Sequence, residues 1–146
     1  MSYYERVPTG DSMTTQGRTI TEADVANFAG VSGDFNALHT DAERMAESEY
    51  GERIAHGALI FSVMTGLLWQ RRSEEERQAV VAFYGLDAVR FTAPTGIGDT
   101  IHVETTVTEK EPIEHPEATG IVHYDADVVN QDGTTVLYAE PITLMA

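Results

Sequence analysis

Two short stretches of the chain hold the residue types that proton chemistry needs. The first, Gly33-Asp34-Phe35-Asn36-Ala37-Leu38-His39, puts a carboxylate and an imidazole five residues apart among turn formers. The second, His56-Gly57, stands at the mouth of the most apolar segment, Ala58 to Trp69. A spacing of five separates two side chains by roughly 140° on a helix and sends them to opposite faces of a strand. Asp34 and His39 therefore converge only on a turn, which Ser32-Gly33-Asp34 and Asn36 favour. Brought to one point, an acid and a histidine can activate a water and pass a proton near neutral pH. On spacing alone a plainer reading stands beside it: an Asp that caps backbone amides and a surface His. A metal centre drawn from Asp34, His39, Asp41 and His56 is a further reading, although the chain has no tight His-rich spacing.

The elements around these stretches follow from caps and periodicity. Thr21-Glu22-Ala23-Asp24 reads as a capping box, opening a helix through about Gly30 with Val25, Phe28 and Ala29 at helical spacing. Val31 to His39 reads as a loop. A second box, Thr40-Asp41-Ala42-Glu43, predicts a short helix that stops before Gly51. Ile54 to Arg72 predicts the central helix: from Ala58 to Trp69 only Ser62, Thr65 and Gly66 interrupt the apolar residues, which implies burial on all sides. Ser73 to Arg77 is a connection or a surface helix, and the period then changes to two. Val80 to Leu86 and Ala88 to Ala93 are short strand candidates, followed by a turn-rich joint, Pro94 to Asp99. Thr100 to Glu109 presents Ile101, Val103, Thr105 and Val107 on one face, and Thr119 to Asn130 presents Val122, Tyr124, Ala126 and Val128. Gln131-Asp132-Gly133 turns the chain into a last strand, Thr134 to Leu144. A strand meander needs apolar cover, and only the central helix is long enough to give it. The expectation is a single α+β domain over residues 1–146, an antiparallel sheet wrapped around one helix.

Composition narrows the function. The longest apolar stretch is about 12 residues where a membrane-spanning helix needs about 20, and the first 20 residues lack the apolar core of a secretory signal. A cytoplasmic protein with no membrane partner is the expectation. With no cysteine there are no disulfides, thiolate metal sites or cysteine nucleophiles. The 24 acidic residues face only 9 basic ones, one of them lysine, for a net charge of −15. Such a dispersed acidic surface fits a halophilic cytoplasm, where salt screens the repulsion. It offers no basic patch for a phosphate backbone, which argues against a nucleic-acid partner.

The segment Gly33-Asp34-x-Asn36-x-Leu38-His39 resembles the motif of the MaoC-like, (R)-specific enoyl-CoA hydratases, with Ala37 where the family usually has proline. The similarity extends to Ile54-Ala55-His56-Gly57 and to Arg90-Phe91-x-x-Pro94 with Gly98-Asp99-Thr100, and covers roughly residues 18 to 145. It implies the hot-dog fold and a hydro-lyase, with Asp34 and His39 as the catalytic pair adding water to a trans-2-enoyl thioester to give an (R)-3-hydroxyacyl thioester. Asn36 would orient the loop or the water, the Gly57 amide would polarise the thioester carbonyl, and Thr65 aligns with a hydroxyl position of the family's helix. It implies no metal and no cofactor beyond the coenzyme A carried by the substrate, and a homodimer. Arg53, Arg71, Arg72 and Arg90 are available for coenzyme A phosphates. An acyl-CoA thioesterase on the same fold and a non-catalytic acyl-thioester-binding module are the alternatives.

Overall fold

In the computed structural model, which describes residues 1–146, the chain opens with α1 (Tyr3–Arg6), β1 (Ser12–Thr14) and β2 (Arg18–Thr19). The helices α2 (Glu22–Ser32), α3 (Ala37–Thr40), α4 (Ala42–Ala46), α5 (Gly57–Arg71) and α6 (Glu74–Ala79) follow. The chain ends in four long strands, β3 (Val80–Phe91), β4 (Thr100–Pro112), β5 (Gly120–Val129) and β6 (Thr135–Met145). One antiparallel sheet results, in the order β1-β4-β5-β6-β3, with β2 also on β4. It wraps around α5, the expected hot-dog arrangement. No helix is long and apolar enough to cross a membrane.

The core forms where the two hydrophobic patterns meet. Helix α5 buries Leu59, Ile60, Val63, Met64, Leu67 and Leu68 against Ile101 and Val103 of β4, Ala126 and Val128 of β5, and Leu137 and Ala139 of β6. Each large aliphatic side chain taken from water there contributes about 1.5–3 kcal/mol. Ile101, Val103, Thr105 and Val107 all face inward, as their alternation predicts. At the other end of the sheet α1 adds a small second cluster, Tyr4 and Val7 on Val107, Val122 and Met145. The chain's single lysine, Lys110, sits over the Tyr4 ring there and donates to the Val7 carbonyl.

Four expectations change. Val80–Leu86 and Ala88–Ala93 are one strand, because Gly85 and Asp87, which interrupt the pattern, sit where the pairing with β6 shifts register. That strand lies beyond β6 at the sheet edge rather than next to β4, so only β4-β5-β6 is a meander. The second capping box moves by one residue: Thr40 is already helical as the last residue of α3, so Asp41 accepts from the Arg44 amide at 2.9 Å and caps α4. Finally, α5 is not buried all round. Ala58, Ser62, Gly66 and Trp69 are exposed along one stripe, because a single sheet can cover only one side of a helix.

The first capping box forms as read, with Thr21 and Asp24 bonding each other's amides. None of the 24 acidic residues is buried, so their mutual repulsion is carried at the surface and is open to screening. The Debye length falls from about 10 Å at 0.1 M salt to about 3 Å at 1 M. Unfolding free energy is therefore expected to rise steadily from 0.1 M to 2 M KCl in denaturant titrations; a flat or falling trend would contradict it.

Candidate active site

The site is assembled by a chain of local caps. Helix α2 stops at Gly33, whose φ of 75° lies in the left-handed region that glycine adopts without strain. The Asp34 amide then donates to Ser32 Oγ at 3.1 Å, and Asp34 Oδ1 accepts from the Asn36 amide at 3.1 Å. Asn36 Oδ1 accepts in turn from the Leu38 amide at 3.0 Å, which caps the single turn of α3. The expected loop thus contains two helical pieces, and α3 is what carries His39 back toward Asp34. Asn36 orients the loop through its backbone partners.

His39 is buried beside a half-exposed Asp34, with Nε2 and Asp34 Oδ2 3.8 Å apart. Its other ring nitrogen, Nδ1, lies 2.7 Å from the Ile54 carbonyl oxygen. A carbonyl only accepts, so Nδ1 carries a proton, and in the neutral ring Nε2 presents its lone pair to the Asp34 side. The 3.8 Å gap is too long for a direct hydrogen bond, yet one water at about 2.8 Å from each atom fits between them.

The second wall is the entry to α5. Ile54 is tied on one side to the Leu38 carbonyl at 3.0 Å and bridges Gly96 on the other, while the Ala55 amide donates to the Thr95 carbonyl at 2.7 Å. Next along, His56 makes no side-chain cap, so the first amides of α5 have no side-chain acceptor at this end. Gly57 and His39 line one cavity of about 530 Å3, together with Tyr50, Ile54, Phe91 and Thr92. A Cβ on residue 57 would stand 2.7 Å from a Phe91 ring carbon. Glycine keeps the amide approachable from this cavity.

His56, read from the sequence as part of the His-Gly opening of α5 and as one member of the metal reading, packs against the pair. It is 2% exposed, stacks on His39 with ring centroids 3.7 Å apart, and donates from Nε2 to the Asp34 backbone carbonyl at 2.9 Å. It therefore holds both members of the pair, one by its face and one by its edge. One ligand atom each of Asp34, His39 and His56 lies within 4.8 Å of the others, whereas Asp41 is occupied as the α4 cap. The stacked rings hold their in-plane lone pairs in nearly parallel planes, which do not converge on a tetrahedral ion.

Thr65 is not brought to the pair. Its hydroxyl donates back to the Ser62 carbonyl at 2.7 Å, and the residue lines a different cavity. Ser62 likewise donates to the Ala58 carbonyl. Of the four arginines considered for phosphates, Arg53 is held bidentately by Glu22 and Arg72 is paired with Glu76. Arg71 donates to the Thr14 carbonyl, while Arg90 donates only to the carbonyl of Val89 and adjoins Phe91 at the cavity.

A sheet wrapped around one helix, with an Asp–His pair facing the helix entry, defines the class of hot-dog dehydratases. Residues 5–130 match the family described as MaoC like domain, and the chain belongs to that family. Among curated relatives it is 42% identical over 108 residues to Protein MaoC of Klebsiella aerogenes, covering 74% of this chain but only 31% of that protein. It is 32% identical over 112 residues to an (R)-specific enoyl-CoA hydratase of Rhodospirillum rubrum, covering 77% of this chain and 74% of the relative. Among solved structures, a monoamine oxidase regulatory protein from Archaeoglobus superposes with a TM-score of 0.88 at 36% identity, over 98% of this chain and 93% of the other.

Truncating His56 to alanine removes a buried ring and leaves the Asp34 carbonyl without its donor. A loss of about 2–5 kcal/mol in urea unfolding is expected, with activity falling further than stability at permissive temperature.

Proposed function

We propose that this protein is an (R)-specific enoyl-CoA hydratase, which adds water reversibly to trans-2-enoyl-CoA to give (R)-3-hydroxyacyl-CoA. The observation that carries the reading is the 3.8 Å Asp34–His39 pair beside a cavity that also holds Gly57 at the α5 entry. The R. rubrum hydratase, at 32% identity, supports it.

In this reading the thioester carbonyl lies against the α5 N-terminus, where the Gly57 amide and the positive end of the helix dipole stabilise the negative charge that develops on its oxygen. Asp34 accepts one hydrogen of the water and aims it. His39 Nε2 accepts a proton from the same water as its oxygen bonds to C3, and the electrons of the double bond move onto the carbonyl. Collapse of the enolate takes a proton at C2 from the imidazolium, which restores the neutral ring. The net change is addition of one water, both new bonds formed on the face that meets the pair, with no cofactor beyond the substrate's own coenzyme A. Arg90, next in sequence to the cavity-lining Phe91 and without an acidic partner, is in this reading the candidate for coenzyme A phosphates.

The working form in this reading is a homodimer. Strand β3 is an open sheet edge that exposes Phe83, Tyr84 and Phe91, and the exposed stripe of α5 carries no charge. Edges of this kind need cover, and apolar patches rimmed by polar residues mark protein contacts.

With crotonyl-CoA at molar KCl, loss of the enoyl absorbance without free thiol is expected; release of thiol would identify a thioesterase instead. Asp34→Asn and His39→Ala are each expected to lower kcat by about 10²–10⁴-fold, and unchanged turnover in either would remove the mechanism. A turnover at background in the unmodified protein would favour a binding module. Sedimentation at the same salt is expected to give twice the 16.0 kDa chain mass; a single-chain mass would contradict the dimer.

A further inference from the structure

The segment Gly98-Asp99-Thr100 carries part of the family resemblance, yet none of its residues lines the cavity beside the Asp34–His39 pair. Both oxygens of the Asp99 carboxylate are nonetheless engaged. Oδ2 accepts from the Gly96 amide at 2.8 Å, and Oδ1 accepts from Gln131 Nε2 at 3.0 Å. Gln131 Oε1 accepts in turn from the Thr100 amide at 3.0 Å, which ties the joint before β4 to the turn between β5 and β6. The Asp99 backbone is bound as well. Its carbonyl accepts from the Ile20 amide at 2.8 Å, and Gly98, at a φ of 100°, sits in the turn that lets the Asp99 amide donate to the Gly96 carbonyl at 3.2 Å.

The turn held this way is the one that meets the entry to α5. Thr95 and Gly96 are buried. The Thr95 carbonyl accepts from Ala55, and Gly96 bridges Ile54, whose carbonyl oxygen lies 2.7 Å from His39 Nδ1. We propose that Asp99 is a positioning residue of the hydration reaction, acting through Gly96 and Ile54 to keep the proton of His39 on Nδ1. An ionised carboxylate suits the place because it only accepts, and both of its side-chain partners are donors. Once Gly96 is released, Ile54 loses its brace and the ring is free to carry its proton on Nε2. A proton there points at the water that Nε2 has to deprotonate. The catalytic effect rests on the hydratase reading; the effect on the ring does not.

In Asp99→Asn one amide hydrogen faces Gln131 Nε2, also a donor, and turning either amide over only moves the clash to the Gly96 or the Thr100 N–H. One of the three hydrogen bonds is lost in every arrangement. Asp99→Asn combined with Gln131→Glu restores all three at unchanged net charge, since the relocated carboxylate accepts from both the new amide and Thr100. With crotonyl-CoA at molar KCl, Asp99→Asn is expected to lower kcat about tenfold with KM within about twofold, and the double variant to recover to within about twofold of the unmodified protein. Ring-nitrogen NMR shifts of His39, assigned against His39→Ala and measured above neutral pH, are expected to show Nε2 bare in the unmodified protein and in the double variant. Asp99→Asn is expected to add a share of the Nε2–H form. An unchanged kcat in Asp99→Asn, no recovery in the double variant, or a His39 spectrum that Asp99→Asn leaves unmoved would each overturn the proposal. Background turnover in the unmodified protein counts against the hydratase instead, and the ring spectrum then decides the role of Asp99.

Discussion

The two-residue strip Ile54-Ala55 is the constraint on which the site depends. Its backbone is tied to the Leu38 carbonyl and the His39 ring on one side and to Thr95 and Gly96 on the other. Three segments far apart in sequence, the α3 turn, the entry to α5 and the joint before β4, are thereby fixed to one another. The Ile54 carbonyl does two things at once: it ends an extended strip and it sets the protonation of His39 by accepting from Nδ1. Without that acceptor the imidazole would have no reason to keep its lone pair on the side of Asp34. The geometry of the Asp34–His39 pair is a consequence of backbone pairing, not of the two side chains finding each other.

The helix that follows supplies the other half. Being apolar all round, α5 has no face that prefers water, so the sheet could have closed on any side of it. At its first turn Gly57 lies against the Phe91 ring of β3, where a Cβ would stand 2.7 Å from a ring carbon. Along the helix Leu59, Ile60, Val63 and Met64 turn to the sheet, and Ala58, Ser62 and Gly66 turn away. The small residues on the outer stripe leave room for another backbone to approach closely, as the open β3 edge beside them also does.

Much of this was legible from the residues. Alternation placed the inward faces of β4 and β5, and the Thr21 box placed the start of α2, because both depend on neighbours two to four positions away. The turn from Gly33 to Asn36 was readable for the same reason, but spacing alone left Asp34 as a cap and His39 as a surface residue, and only the family motif paired them. What stayed hidden depends on contacts between distant segments. The stacking of His56 on His39 joins residues 17 apart through a tertiary approach that no local pattern encodes. The placement of β3 beside β6 instead of β4 is likewise a choice among strands of equal pattern. Thr65, aligned with a hydroxyl position of the family's helix, lines the cavity along the C-terminal half of α5.

The charge of the chain bears on how an anionic thioester would reach such a site. With a net charge of −15 the long-range field opposes any polyanion, and the pairing of Arg53 with Glu22 and of Arg72 with Glu76 removes two of the cations that could offset it. In dilute buffer that field extends about 10 Å or more from the surface, enough to cover the cavity mouth. At molar salt it shrinks to about 3 Å, less than the length of an arginine side chain, and the approach is governed by what lies within contact distance. High salt would thus both ease the repulsion within the fold and weaken the field that opposes an anion's approach, through the same screening.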